Sequence, residues 1–127
     1  MSNTLAFSNQ KGGVGKTTSA VNVALSLAVS EVRTLIIDLD PQANATTGLS
    51  DLVIETNGTI YDVILGIENI KNCIAKTSFP FLDIIGSTND LVGAEVELVG
   101  VMAREYQLKK ALEKIEGQYD IIIIDCP

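Results

Sequence analysis

The sequence predicts an α/β protein in which helices cover a mainly parallel, doubly wound sheet, and two patterns support this prediction. Short apolar segments alternate with segments of helical length, in the order strand, helix, strand, helix, strand, helix, strand. The last segment contains four consecutive isoleucines, Ile121–Ile124, which is typical of a strand buried on both faces of a parallel sheet. With 127 residues, 46% of them hydrophobic, the chain has the size and composition of one globular domain spanning residues 1–127.

The first part of the chain contains two predicted strands and the helix between them. Thr4–Ser8 is an apolar run that ends at a glycine-rich segment, as expected for a strand that enters a loop. Thr17–Val29 has helical length and is apolar on nearly every side, which favours a helix packed between a sheet and other helices. Thr34–Ile37 is apolar and precedes Pro41, which cannot donate to a sheet. Ala43–Ser50 is small and polar and is predicted to be a loop.

The middle of the chain contains a short helix and a third strand. Thr59 is placed to cap a short apolar helix that includes Tyr61. Phe81–Ile85 is the strand candidate, bounded by a proline before it and polar residues after it. Asp90, or Asn89 just before it, can cap a helix that starts at Leu91. These elements continue the alternation of strands and helices.

A longer helix and the isoleucine strand complete the pattern. Along Val101–Glu116 the apolar residues recur on one helical stripe, and Lys109 can pair with Glu105 on the solvated side. Gly117 is placed to end that helix. Tyr119–Asp125 is then predicted to be the last strand.

Composition excludes several classes of protein and of chemistry. Nine Lys and Arg against sixteen Asp and Glu give a net charge of −7, which does not indicate nucleic-acid binding. Neither a membrane-spanning run nor a secretory signal is visible, so we expect a cytoplasmic protein. The chain has no histidine, which excludes imidazole-dependent catalysis. Cys73 and Cys126 match no metal-ligand spacing, and we expect reduced thiols that pack as small apolar residues.

A segment rich in glycine and lysine lies between the first strand and the first helix, where phosphate-binding loops occur. Its sequence is Lys11-Gly12-Gly13-Val14-Gly15-Lys16-Thr17-Thr18. Glycines let backbone N–H groups and the helix N-terminus converge on phosphate oxygens, while Lys16 supplies a cation and Thr17 a hydroxyl for Mg²⁺. Gln10 stands where the strict pattern G-x-x-x-x-G-K-[ST] requires glycine, so the loop is a variant. A glycine turn without a ligand would not account for this order of residues at a strand-to-helix junction.

Carboxylates follow two of the predicted strands. Asp38 and Asp40 come directly after the second strand, and Asp125 ends the last one. Open α/β sheets bind ligands at the carboxyl ends of their strands. Transfer of a phosphoryl group to water needs a held nucleophile and a metal, and Mg²⁺ is usually bound through one or two carboxylates. Loop aspartates alone are more often turn formers, so this interpretation depends on the neighbouring phosphate-binding loop.

The chain resembles the ParA/MinD superfamily of P-loop ATPases, whose deviant loop pattern K-G-G-x-G-K-[ST] it matches at every position. Residues 38–49, DLDPQANATTGL, and 88–98, TNDLVGAEVEL, resemble its ParA/Soj partition branch. The resemblance implies a mainly parallel sheet of the P-loop NTPase type, with ATP and Mg²⁺ as cofactors. It further implies that Lys11 reaches the nucleotide of a second copy across an ATP-dependent homodimer, whereas a lone lysine would by default be a solvated surface residue.

The same resemblance assigns the remaining roles. Lys16 binds phosphate, Asp40 orients or activates the attacking water, and Thr17, Asp38 and Asp125 support the Mg²⁺ ion. The implied protein is a weak ATPase whose ATP-bound dimer binds nonspecific DNA at the nucleoid, away from membranes. A ParB-like centromere-binding partner stimulates its hydrolysis during chromosome or plasmid partition. Two alternatives stay open: a MinD-like positioning ATPase at a membrane surface, which needs a C-terminal amphipathic helix, and a truncated nucleotide-binding module without turnover.

Two features depart from the family pattern. Glu31 stands where relatives tend to place Gly, so we expect the first helix to end in a different turn. Relatives continue well past the position of Pro127, so we expect a domain truncated after the strand that ends at Asp125, the Walker B strand. The second switch, the later strands, most adenine contacts and the basic DNA-binding residues would then be missing. Ile121–Ile124 would be left partly exposed and prone to aggregate.

Overall fold

Helices separate most of the strands along the chain in the computed structural model, which describes residues 3–7, 14–40, 42–54, 58–88 and 100–126, with the backbone alone for 14–18 and 101. The strands are β1 (Asn3–Phe7), β2 (Thr34–Asp38), β3 (Ala75–Lys76), β4 (Leu82–Ile85) and β5 (Ile121–Asp125). The helices are α1 (Val14–Val29), α2 (Asn44–Gly48), α3 (Ile60–Ile64), α4 (Ile70–Cys73) and α5 (Val101–Glu113), with a 3₁₀ turn at Ser50–Leu52. The predicted α/β class is confirmed.

Five strands form one sheet in the order β1-β5-β2-β4-β3. Strands β1, β5, β2 and β4 are parallel to one another, whereas the two-residue β3 pairs antiparallel with β4. The mainly parallel sheet predicted from the sequence is therefore confirmed. The antiparallel edge strand was not predicted, because a two-residue strand carries no periodicity in the sequence.

The central strands supply side chains to two cores, one on each face of the sheet. In β2, Leu35 and Ile37 belong to the core beneath α3 and α5, and Ile36 belongs to the core beneath α1. The isoleucines of β5 alternate between the two cores in the same way. Full burial of such a side chain stabilises the fold by about 1.5–3 kcal/mol. The unbroken isoleucine run is thus explained by helices that cover both faces.

The expected exposure of the isoleucine run is wrong. Ile122–Ile124 are at most 7% exposed, and only Ile121 is half-buried. The reason is the strand order: β5 lies between β1 and β2, with α1 and α5 packed over its two faces. The exposed strand is instead β1, which lies at the edge of the described sheet. Its residue Leu5 is 45% exposed.

Small residues bring α1 close to the sheet. Ala20, Ala24 and Ala28 recur every four residues, which places them on one face of the helix, and each is at most 3% exposed. Apolar residues between them are half-buried, and Val29 is exposed. The buried face of α1 is therefore a stripe of alanines. It is narrower than expected from the sequence, which predicted a helix packed on nearly every side.

Helix α1 ends in the turn that usually contains glycine, so the expectation of a different turn at Glu31 is wrong. The N–H of Val32 donates to the carbonyl of Leu27 at 3.0 Å, and the N–H of Glu31 donates to Ala28 at 3.0 Å. This pair of bonds defines a Schellman motif, in which the residue at the position of Glu31 adopts a left-handed conformation. Glu31 has φ +62°, a region that side chains with a Cβ adopt at a cost of about 1–2 kcal/mol.

We expect Glu31→Gly to stabilise the protein by up to about 1 kcal/mol. Glycine removes the left-handed penalty, and the greater entropy of its unfolded state offsets part of that gain. Urea unfolding of the two proteins, compared by their midpoints, measures the difference. Glu31→Ala is the matched control, because alanine removes the charged side chain and keeps the Cβ. Equal midpoints for Glu31→Gly and Glu31→Ala would contradict the explanation.

Several local predictions can be compared directly with the described residues. The Thr59 cap is confirmed, since Thr59 and Asp62 form a capping box at the start of α3. The predicted loop Ala43–Ser50 is wrong in part, because it contains α2. The predicted stripe residues Leu108, on α5, and Ile115, in the turn after it, are buried, and the helix ends at Glu113, before the predicted boundary. The helix predicted to follow Asp90 lies outside the described residues.

Both cysteines are free thiols, as expected. Cys73 is buried in the core beneath α3 and α5, and Cys126 packs against the same core. Burial raises the pKa of the Cys73 thiol to about 11, with a smaller contribution from the nearby negative charge of Asp62. Cys73 therefore behaves as a small apolar core residue.

Candidate nucleotide and metal site

The carboxyl ends of three parallel strands meet at one edge of the sheet. Phe7 of β1 lies in register with Asp125 of β5, and Asp125 lies in register with Asp38 of β2. The strands stay joined beyond these residues, since Cys126 N donates to Phe7 O at 2.8 Å and Leu39 N donates to Asp125 O at 2.9 Å. Asp38 and Asp125, which the sequence singled out separately, are therefore neighbours on adjacent strands.

The predicted phosphate-binding loop connects this edge of the sheet to α1. β1 ends at Phe7 and α1 begins at Val14, so Gly15–Thr18 lie in the first turns of the helix. The first N–H groups of a helix have no partner within it and attract anions, and the first turn of α1 contains no acidic residue. Lys11–Gly13 lie outside the described residues.

Asp38 is fully buried, and three hydrogen bonds hold its carboxylate. Oδ1 accepts from the backbone N of Asp40 at 3.0 Å, and Oδ2 accepts from the backbone N and the Oγ1 of Thr46 at 2.8 and 2.7 Å. Burial raises the pKa of Asp38 and outweighs the lowering effect of these bonds, with a smaller rise from the charge of Asp125. A carboxylate has roughly four acceptor positions. Three of those of Asp38 are occupied by hydrogen bonds from Asp40 and Thr46.

Asp125 is also fully buried, beside Asp38. Two neighbouring carboxylates in a buried setting repel each other, and a hard divalent cation offsets that repulsion. Among the residues that the structure describes, no group of three or more His, Cys, Asp or Glu side chains is arranged to hold a metal alone. Mg²⁺ usually takes one or two carboxylates and completes its shell with water and phosphate oxygens. The donor set therefore fits a magnesium ion shared between protein and nucleotide.

Asp40 lies two residues beyond the end of β2 and is 7% exposed. Its Oδ1 accepts from the backbone N of Gln42 at 2.9 Å, and its carbonyl accepts from the N of Ala43 at 2.9 Å. Ala43 has φ +55°, in the left-handed region that costs a residue with a Cβ about 1–2 kcal/mol. Both the side chain and the main chain of Asp40 are thus fixed in a tight turn that begins at Asp40 itself.

Two hydroxyl residues that the sequence analysis missed connect this turn to the end of β4. Thr46 Oγ1, besides donating to Asp38, accepts from the backbone N of Ser87 at 2.9 Å. Ser87 Oγ donates to the carbonyl of Asp40 at 2.7 Å. A Cβ on Gly86 would lie 3.2 Å from Thr46 Cγ2, so the glycine permits this close approach. No sequence signal separates Thr46 from its exposed neighbour Thr47.

A family model described as an AAA domain, AAA_31, matches residues 2–127. The chain is 49% identical over 123 residues to the chromosome partitioning protein ParA of Myxococcus xanthus, covering 97% of this chain and 44% of that protein. It is 45% identical over 127 residues to the sporulation initiation inhibitor protein Soj of Bacillus subtilis, covering 100% of this chain and 50% of that protein. The chain thus spans about half the length of these curated relatives.

Solved structures share the fold over the whole chain. The cobyrinic acid a,c-diamide synthase of Mycobacterium smegmatis with bound ADP and magnesium is 37% identical, with a TM-score of 0.85, covering 100% of this chain and 51% of that one. The septum site-determining protein MinD of Pyrococcus horikoshii, complexed with Mg-ADP, is 29% identical, with a TM-score of 0.83, covering 100% and 49%. In the described part of the chain, no helix has the length and apolarity needed to cross a membrane. The chain belongs to the AAA_31 family of AAA domains and is a sequence relative of the ParA and Soj partition proteins.

Proposed function

We propose that this chain binds and hydrolyses ATP in a Mg²⁺-dependent manner and acts as a switch of the ParA/Soj type in chromosome or plasmid partition. The observation that supports it best is the juxtaposition of three features at one edge of the sheet: the start of α1, the adjacent Asp38 and Asp125, and the fixed turn at Asp40. The structures with bound ADP and magnesium give independent support for the two cofactors.

The proposed binding step uses the first turns of α1. Lys16 and the N–H groups at the start of the helix hold the phosphates, because they place positive charge where the nucleotide is negative. Thr17, Asp38 and Asp125 would hold the Mg²⁺ ion, with Asp125 the main carboxylate, since Asp38 is largely occupied by Asp40 and Thr46. The ion, when bound, offsets the negative charge that develops during phosphoryl transfer.

The proposed hydrolytic step uses Asp40. Hydrolysis needs a water molecule held in line with the phosphorus and its leaving group. Asp40 Oδ1 is engaged by Gln42, and within the described part of the chain Oδ2 accepts no hydrogen bond. Asp40 can therefore orient the attacking water or accept its proton through Oδ2, while Oδ1 keeps the carboxylate in place.

The wider role is proposed from the relatives. Residues 1–127 act as one domain that forms an ATP-dependent homodimer, in which Lys11 contacts the nucleotide of the second copy. A ParB-like partner stimulates hydrolysis, and the ATP-bound dimer binds nonspecific DNA. The relatives at 45–49% identity are partition proteins, which favours this role in the cytoplasm and at the nucleoid over the membrane-surface role of a MinD-like protein.

The test measures ATP hydrolysis and oligomeric state of the complete protein that contains this chain, for the wild type and for Lys11→Ala. We expect the wild type to release phosphate with Mg²⁺ but not with EDTA, and to sediment as a dimer with ATP. Lys11→Ala should bind ATP as a monomer with an affinity within about twofold of wild type, while dimerisation and hydrolysis fall about tenfold or more, because each copy loses its charge-assisted bond to the nucleotide of the other.

Lys71→Ala is the matched control, because Lys71 is exposed on α4. It should hydrolyse and dimerise as the wild type does. A wild type that binds no ATP would overturn the proposed function as a whole. Unchanged dimerisation and turnover in Lys11→Ala would overturn only the contact across the dimer.

A further inference from the structure

We propose that Thr46 and Ser87 are positioning residues for ATP hydrolysis. The oxygen atoms Thr46 Oγ1 and Ser87 Oγ, which we call the hydroxyl bridge, hold Asp38 and Asp40 in the arrangement that the reaction needs. This inference rests on the proposed function and assigns roles at that site to two residues outside the phosphate-binding loop and the carboxylates.

The first half of the bridge fixes Asp38. Asp38 Oδ2 can only accept, so the single hydroxyl hydrogen of Thr46 is directed to it, across 2.7 Å. Thr46 Oγ1 then has lone pairs left for a donor, and the backbone N–H of Ser87 fills that position at 2.9 Å. The backbone N of Thr46 donates to the same carboxylate oxygen at 2.8 Å. The carboxylate of Asp38 is thereby oriented by α2 and by the segment after β4 together.

The second half of the bridge fixes Asp40. The carbonyl of Asp40 can only accept, so the hydroxyl hydrogen of Ser87 is directed to it, across 2.7 Å. The other bonds of Asp40 and of its turn are local, reaching Asp38, Gln42 and Ala43, and Ala43 is in a left-handed conformation. A strained turn keeps its shape when its surroundings fix it. Ser87, 47 residues away in the sequence, supplies such an external anchor.

The anchor itself belongs to the packed interior. Ser87 is 7% exposed, and its Oγ lies 3.0 Å from the hydroxyl oxygen of Tyr61, which is 2% exposed. Ile60, next to Tyr61, donates its N–H to the carbonyl of Gly86 at 2.9 Å. The hydroxyl bridge therefore connects the two aspartates to α3 and to the end of β4, whose apolar residues are buried in the core.

The experiment compares Thr46→Val and Ser87→Ala with the wild-type complete protein, by kcat and KM for ATP at saturating Mg²⁺. Valine keeps the shape of threonine and removes only its hydroxyl. We expect kcat to fall roughly 10- to 100-fold in each variant, because loss of position at a reacting group has effects of that size. KM should change less than about threefold, because the phosphate-binding residues are untouched. The double variant should be little worse than either single one, because the two hydroxyls act as one unit.

Conservative and matched variants separate positioning from stability. Thr46→Ser, which keeps the hydroxyl, should return kcat to within about threefold of wild type. Thr47→Val, one residue along the same helix and exposed, should behave as wild type. All rates are measured well below the unfolding midpoint of each variant. If Thr46→Val does not fold, Ser87→Ala and its own kcat decide the question.

A reference variant distinguishes failure of this inference from failure of the proposed function. Asp40→Asn is assayed in the same series. Loss of hydrolysis in Asp40→Asn together with wild-type kcat in Thr46→Val and Ser87→Ala would overturn the positioning role alone. Wild-type hydrolysis in Asp40→Asn would overturn the catalytic role of Asp40 on which this positioning role depends, and absence of ATP hydrolysis in the wild type would overturn the proposed function.

Discussion

Lys16→Ala is expected to lower the affinity of the complete protein for ATP by about 100-fold or more. Lys16 lies in the first turns of α1, which begins where the loop from β1 ends. Removal of one partner of a buried charge pair costs about 2–5 kcal/mol, which corresponds to a loss of about 30- to 5,000-fold and includes the expected one. Titration calorimetry with ATP and Mg²⁺ measures the affinity directly.

The matched control for this prediction is Lys109→Ala. Lys109 is exposed on α5, so its removal changes the net charge equally without touching the site. We expect Lys109→Ala to bind ATP with wild-type affinity. ATP affinity in Lys16→Ala within about threefold of wild type would contradict the assignment of Lys16, and thereby the phosphate-binding role of the loop.

The central strands could be predicted correctly because the pattern that identifies each of them lies within a few consecutive residues. Four consecutive isoleucines are typical of a strand that is covered on both faces of a sheet. In the structure, helices do cover both faces of β5. The same locality explains why Asp38 and Asp125 could be assigned to one edge. Each directly ends an apolar run, and parallel strands bring such ends together.

What the sequence could not predict depends on contacts between distant residues. Thr46 and Thr47 are the same residue type in the same short helix, and only packing against Gly86 and Ser87 makes one of them part of the site. The expectation about Glu31 was wrong for a related reason. Glutamate disfavours a left-handed conformation, but Glu31 adopts one at that cost, because the chain turns there from α1 into β2.

The structure also determines which substitution of Asp40 gives the clearest test of catalysis. Oδ1 of Asp40 accepts from Gln42 N, and this bond helps to shape the turn. Alanine would remove the carboxylate and the turn bond at once. Asparagine keeps an acceptor oxygen for Gln42, removes the negative charge and replaces the second carboxylate oxygen with an NH2 donor, so its effect on turnover reports on the carboxylate itself.

Asp40→Asn is therefore expected to bind ATP with nearly wild-type affinity and to hydrolyse it about 100- to 10,000-fold more slowly, the range over which a positioned acid or base contributes. Because Asp40 is proposed to act on the water and Lys16 on the phosphates of the ground state, binding and turnover should separate between these two variants. Asp40→Asn should also accumulate as an ATP-bound dimer, measurable by sedimentation with ATP and by single-turnover phosphate release.

The matched control is Asp51→Asn, because Asp51 is an exposed carboxylate in the 3₁₀ turn. This variant should turn over normally. Normal phosphate release by Asp40→Asn would show that the attacking water is held by another group.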